Sequence, residues 1–348
     1  GIFFGPNSVV DVAGLFATTL GIKDSDFLAG KYNFTQDPTK SLSYVINQGE
    51  IKVSDNGFVF LVAPGVKNES LIIANLGKVV LASGSQFSVD FMGDGLINFM
   101  VDGKVLDKVI GPDGNPLSSA VSNSGTIRAD GGQIVLSARA SKDIFESVVN
   151  NSGVIEAKSL VNHGGVIRLE GSDPVENTGL VGSQNNLGKV QNADGAVINT
   201  GTLDVSAAQP GAAQGQITLS GELVGVSGTI LARGADGAQG GRVLITSTDK
   251  TVLTTSSVID TSGVGNSSAG NVVVWSDNTT LFGGTVLARG GDLGGNGGSV
   301  EVSGKHYLDF RGIVDTRAPV GTTGTLLLDP DEITIVSGLA ATTAGITC

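Results

Sequence analysis

The chain has 348 residues, 53 of them glycine, a single cysteine and a formal net charge of −12. The acidic groups are dispersed and no basic stripe exists, which argues against nucleic acid as a partner and against docking on an anionic membrane surface. Glycine at about twice the usual share, with no three-residue period and only 9 prolines, calls for dense turns and excludes a collagen-like fibre.

In chain order, the first hundred residues are built differently from the rest, since 10 of the 13 phenylalanines precede residue 101. The chain opens at Gly1 with no Met and no charged leader, the pattern expected of a processed product. No apolar run reaches the roughly 18 residues of a membrane-spanning helix. Cys348 is the last residue, so no internal disulfide can form. Residues 2–4 and 9–20 are apolar, and Thr18 and Thr19 favour strand over helix in the second of these. Residues 24–40 are more polar.

A repeat grammar then begins. Asn47-Gln48-Gly49 is followed by 50–53 and by 57–61, both alternating or apolar. The same pair recurs at Asn123-Ser124-Gly125 and 132–136, and at Asn151-Ser152-Gly153 and 165–169, with weaker copies at Asn177 and Asn199. Asn-x-Gly turns a corner because both residues tolerate positive φ. The short alternating run that follows has one buried and one wet face. Strands this short cannot bury an apolar face alone, but coils stacked on one another can. Asn47, Asn123 and Asn151 would then begin a ladder of side-chain amides, unless they serve only as turn formers. Residues 86–116 interrupt the grammar: 87–92, Gly93-Asp94-Gly95 and 96–101 read as a β-hairpin outside the coil. Residues 171–215 are polar and loop-rich.

From Gly228 the repeat is clearest. Gly228, Ser256 and Gly284 each open a similar passage about 28 residues apart, the period of a solenoid. Three strand series follow: 229–232, 257–260, 285–288 and 312–315; then 242–245, 271–274, 299–302 and 325–328; then 251–254, 280–282, 307–310 and 333–335. The expected fold is all-β, a right-handed parallel β-helix with three strands per coil. It should hold roughly 12 to 15 coils in a rod of about 60–70 Å.

At this point the residues resemble a known family. Gly1-Ile2-Phe3-Phe4-Gly5-Pro6-Asn7 looks like the end of the Asn-Pro-Asn-Gly-Ile signature of two-partner-secretion exoproteins, the filamentous-haemagglutinin-like family. Residues 15–20, 26–30, 89–97 and 298–330 are similar to later parts of it. The Asn-Pro-Asn itself is absent here. The resemblance implies an N-terminal cap and first coils over 1–120, with an extra-helical hairpin at about 86–103, and a continuing β-helix over 121–348. It also implies export through an outer-membrane transporter of the Omp85-like two-partner class, with Gly1, Ile2, Phe3, Phe4, Gly5, Pro6 and Asn7 in transporter recognition. A chain that must thread a narrow pore suits the lack of internal disulfides.

Residues arranged for catalysis are scarce. His163 and His306 are far apart and unaccompanied by a ligand motif. No G-x-S-x-G, H-E-x-x-H or phosphate loop occurs. Gly290–Gly298 lacks the order of calcium-binding nonapeptides and reads as a turn. Asp260 and Asp315 fall two coils apart, roughly 9–10 Å, near the upper limit for an inverting glycosidase pair. Both sit where Asp usually caps backbone amides. The expectation is therefore no enzyme, no cofactor and no metal. It is instead a secreted, cell-surface structural or adhesive protein whose host or cell-surface receptor, or glycan, is unspecified. The alternatives are a scavenger binding a host haem carrier, or an end-to-end assembling filament subunit.

Two surface features complete the reading. Val273 and Trp275 should point outward on the same face as Leu244 and Leu327, a candidate contact surface. Arg233 and Arg289 should alternate with Asp260 and Asp315 in a charge staircase, with Asp260 aligned on Ala232 and Asp315 on Ala288.

Overall fold

The computed structural model describes residues 1–90, 98–171 and 193–331. Over these the chain winds as a parallel β-helix with three strand faces, and one four-stranded antiparallel sheet stands outside the winding. The first face ascends from Ile2–Phe4 through Tyr44–Asn47, Gly65–Asn68, Ser119–Asn123, Ser147–Asn151 and Ala196–Asn199. It continues through 223–226, 250–253 and Thr279–Phe282 to Tyr307–Phe310. We call it the amide face. The second, the short face, carries strands mostly three residues long, among them Leu71–Ile73, Thr126–Arg128, Val154–Glu156, Thr202–Asp204, Thr229–Leu231, Val258–Asp260, Thr285–Leu287 and Ile313–Asp315. The third, the long face, includes Lys78–Ser83, Gln133–Ala138, Val166–Glu170, 216–221, 242–247, Asn271–Ser276, Ser299–Gly304 and Thr325–Leu328. The long strands Val9–Thr18 and Glu50–Val62 bend round a corner and supply the first two rungs of both the short and the long face.

Each face therefore has ten rungs among the described residues, about 43 Å of rod at the usual strand spacing. This is shorter than the sequence period alone suggests. Residues 21–35, 84–90 and 98–103 leave the winding for the antiparallel sheet, so they add length to the chain and none to the rod.

The interior is a set of stacked columns. On the short face Ile51, Ile72, Ile127, Ile155, Leu203, Ile230, Ile259 and Val286 lie one above another and are fully buried. β-Branched side chains suit such a column because their stiff χ1 packs against the identical residue one coil away. On the amide face one column holds Asn47, Asn68, Asn123, Asn151 and Asn199, all at most 1% exposed. Each Nδ2 donates to the Oδ1 one coil on: Asn47 to Asn68 at 2.8 Å, Asn68 to Asn123 at 2.7 Å, Asn123 to Asn151 and Asn151 to Asn199 at 2.8 Å. The amides turn corners as well, since Asn123, Asn151 and Asn199 donate to the carbonyl two residues ahead at 3.2–3.3 Å. Both sequence readings of these residues hold together. Asn68 was not expected, because its turn lacks glycine; Asn177 lies outside the described residues. Beyond Asn199 the column turns apolar through Val226 and Leu253 to Phe282, which stacks on Phe310 at 4.9 Å.

Glycine marks two of the corners. A Cβ on Gly153, Gly201 or Gly228 would overlap the carbonyl oxygen of Gly125, Gly153 or Gly201 respectively. At the next corner Gly132, Gly241, Gly270, Gly298 and Gly324 would each strike the glycine carbonyl of the coil before. Backbone thus packs directly on backbone along both edges, which accounts for much of the glycine excess.

The antiparallel sheet consists of Gly21–Ile22, Tyr32–Thr35, Gln86–Asp90 and Asn98–Gly103. The expected hairpin is its last pair; the expected turn lies outside the described residues. The two earlier strands and the helix Asp24–Leu28 were not expected, being too short to show a period of their own. The sheet lies over the outside of the long face, where Phe60, Val80, Phe34 and Phe87 are buried and Phe16 joins them. Phe34 and Phe87 stack at 4.8 Å. This second core takes up five of the early phenylalanines, Phe16, Phe34, Phe58, Phe60 and Phe87.

Candidate functional site

The first coil pairs with the second and, among the described residues, with nothing on its other edge. Of the seven residues expected to meet a transporter, Gly1, Phe3, Pro6 and Asn7 are exposed, Phe3 by 51%. Val9 beside them is 70% exposed. Ile2 and Phe4 instead point inward and pack against the core. Gly5 shapes the turn, accepting the Ser8 backbone N–H at 2.9 Å and its hydroxyl at 2.8 Å. The backbone of this turn sits so close to Gly49 that a Cβ there would overlap it. Among the described residues the first coil therefore presents an apolar rim on a hydrogen-bonded turn, at an edge that no other described strand pairs with.

The outer-surface expectation is met in direction. Val272 and Val274 are buried inside, whereas Val273 and Trp275 face outward and are half-buried. Leu244, Val273, Glu301 and Leu327 follow one another in a single outward column, with Trp275 in the neighbouring one. The Trp275 indole N–H donates to Asp277 at 2.9 Å. Glu301 is the member that the reading passed over, although its alternation between Val300 and Val302 places it outward. It is 3% exposed, and burial raises its carboxyl above the usual range despite a 3.3 Å bond from the Ser303 hydroxyl.

The charge staircase exists with a corrected register. Asp260 pairs with Leu231, not Ala232, because the corner Thr254–Ser257 carries two residues more than the corner 227–228; Asp315 pairs with Leu287, not Ala288, because its strand begins at Ile313, one residue after Gly312. Asp260 lies 3.3 Å from the Arg233 guanidinium and also accepts its own turn's Ser262 N–H at 2.9 Å. Pairing and capping coexist. Asp315 is gripped by Arg317 at 2.7 Å and by Arg289 at 2.6 Å, and these bonds hold its carboxyl well below the usual range. The motif starts earlier than expected, with Arg128 on Glu156 at 2.6 Å and Lys158 3.8 Å from Asp204. Asp260 and Asp315 thus each engage arginine. His306 pairs with Asp331 at 2.9 Å, and His163 is an exposed turn residue whose carbonyl accepts from Leu160. Among the described residues no group of His, Cys, Asp and Glu could hold a metal.

A family model for the TPS secretion domain matches residues 1–182. Among solved structures, the fold is similar to that of the HMW1 secretion domain from Haemophilus influenzae. The TM-score is 0.68 at 24% sequence identity, over 94% of this chain and 77% of that one. At that identity the likeness speaks for the fold alone. No curated protein matches the chain.

Proposed function

Because the chain belongs to the TPS secretion domain family, and so is a two-partner-secretion exoprotein with a cognate outer-membrane transporter, we propose that it is the secretion and first rod portion of a cell-surface structural or adhesive protein. The transporter is of the Omp85-like class, and it reads the exposed rim of the first coil, Gly1, Phe3, Pro6 and Asn7. The observation that carries this reading is the family match over the cap and first coils, joined to an apolar rim that the chain's own described residues leave uncovered. The rod beyond serves to hold binding regions away from the cell and carries no reaction of its own. Consistent with that role, Asp260 and Asp315, the one carboxylate pair weighed as catalytic, are each paired with an arginine.

The test is secretion of the chain by cells expressing its transporter. Phe3→Asp changes an exposed side chain, so synthesis should persist while export stops. Phe4→Asp is a poorer probe, since Phe4 faces the core and its loss would also harm folding. Export of Phe3→Asp at the unaltered level would refute the assignment of the rim. Adhesive function is tested separately, by asking whether surface display of the full chain increases attachment to epithelial cells.

A further inference from the structure

Coupling in a solenoid reaches from each coil to its neighbour and stops there. The staircase obeys this, with Arg128 and Glu156 28 residues apart. At the corner leading from the long face back to the amide face, two ion pairs reach past an intervening coil. Lys104, after the extra-helical pair, lies 2.5 Å from Asp194, 90 residues on. Lys142 lies 2.8 Å from Glu222, 80 residues on. Arg139, on the coil that Lys104 reaches across, closes on the other oxygen of Asp194 at 3.2 Å. Asp194 is 7% exposed and the Arg139 side chain 12%.

The backbone holds these charges in place. Arg139 donates to the Ser83 carbonyl and its own carbonyl accepts from Val105, both at 2.9 Å, which seats Lys104 beside it. Gly171 accepts the Asp194 N–H at 2.5 Å and donates to Ser220 at 2.8 Å. Gly195 donates to the Glu222 carboxylate at 3.3 Å. Four successive corners are thereby tied by side chains as well as by stacking.

We infer that Lys104, Arg139, Lys142, Asp194 and Glu222 form an electrostatic clasp that makes the coils on either side of residue 182, where the family model ends, one cooperative block. The coil 196–226 is fastened to the secretion domain and its extra-helical sheet; it is not merely the next coil in a growing rod. A buried carboxylate between two cations costs most when one side of the pairing is removed, so the clasp closes fully or leaves its coil weakened.

Native-state hydrogen exchange of the full chain tests this. In the unaltered protein, the slow amides of 119–151 and 196–226 exchange at a common rate. Asp194→Asn with Glu222→Gln should lower protection at 196–226 by at least about tenfold and leave 119–151 in place. Lys142→Gln alters only an exposed lysine and should loosen 216–226 by a smaller factor without threatening the fold. Arg233→Ala, which cuts an ordinary neighbour pair, should leave the two segments coupled. The clasp is overturned if the segments already exchange independently in the unaltered protein. It is equally overturned if the double variant and Lys142→Gln leave 196–226 protected, or if they lower protection uniformly along the rod.

Discussion

Replacing Asn123 by leucine cuts the amide ladder in its middle, at nearly constant volume. Asn123 accepts from Asn68 at 2.7 Å and donates to Asn151 at 2.8 Å and to the Gly125 carbonyl at 3.2 Å. Leucine leaves a donor on Asn68 and an acceptor on Asn151 buried without their partner. Each such orphan costs about 1–3 kcal/mol, so the substitution should cost about 4 kcal/mol. Asn199→Leu offers an internal comparison. Asn199 ends the ladder, with Val226 above it, so the losses are the bond from Asn151 and its own weak 3.3 Å bond to the Gly201 carbonyl, while Asn151 still donates to Gly153 at 3.3 Å. That variant should cost about 1–2 kcal/mol. Urea unfolding followed by far-UV circular dichroism gives the order, and hydrogen exchange at 119–123 and 196–199 gives the location. Equal costs at the two positions, or a cost below about 1 kcal/mol at Asn123, would show that the amides are only turn formers.

Glu170 is buried at 3% exposure, 3.7 Å from Arg168, and burial pushes its carboxyl up to about 7. Between pH 4.5 and about 7 the folded chain therefore holds a proton that the unfolded chain has released. Stability should fall as pH rises through that window, and Glu170→Gln should flatten the slope and raise stability at pH 8 by up to about 3 kcal/mol, read from thermal unfolding at several pH values. Gly153→Ala would drive a methyl into the Gly125 carbonyl, and the coils must part. Loss of soluble folded protein, or a stability drop of about 2 kcal/mol or more, is expected, well beyond the cost of an ordinary surface substitution. Trp275 is the single tryptophan and half-buried, with its N–H on Asp277. Acrylamide should quench it moderately and independently of protein concentration, and a marked fall in quenching on concentrating the protein would indicate that this face self-associates.

Much of this protein was fixed by local chemistry that a sequence displays. Short β-branched runs, glycines at a constant interval and Asn at corners specify a coil, because each coil repeats the same contacts with the next. The three strand series from Gly228 onward follow directly from that repetition, apart from 333–335, which lie outside the described residues, and so does the outward direction of Val273 and Trp275. Register is another matter. Whether Asp260 stands over Leu231 or Ala232 depends on how the corner Thr254–Ser257 accommodates two extra residues, and only the pairing of carbonyls one coil below decides it. Asn68 joined the ladder without its glycine because the column around it left an amide to satisfy. The second core of Phe16, Phe34, Phe60 and Phe87 draws on four separate segments, and the clasp at Asp194 joins residues 90 apart. Neither has a period, since each arises from excursions that the coil brings back to its own surface; only the closed tertiary structure places them together.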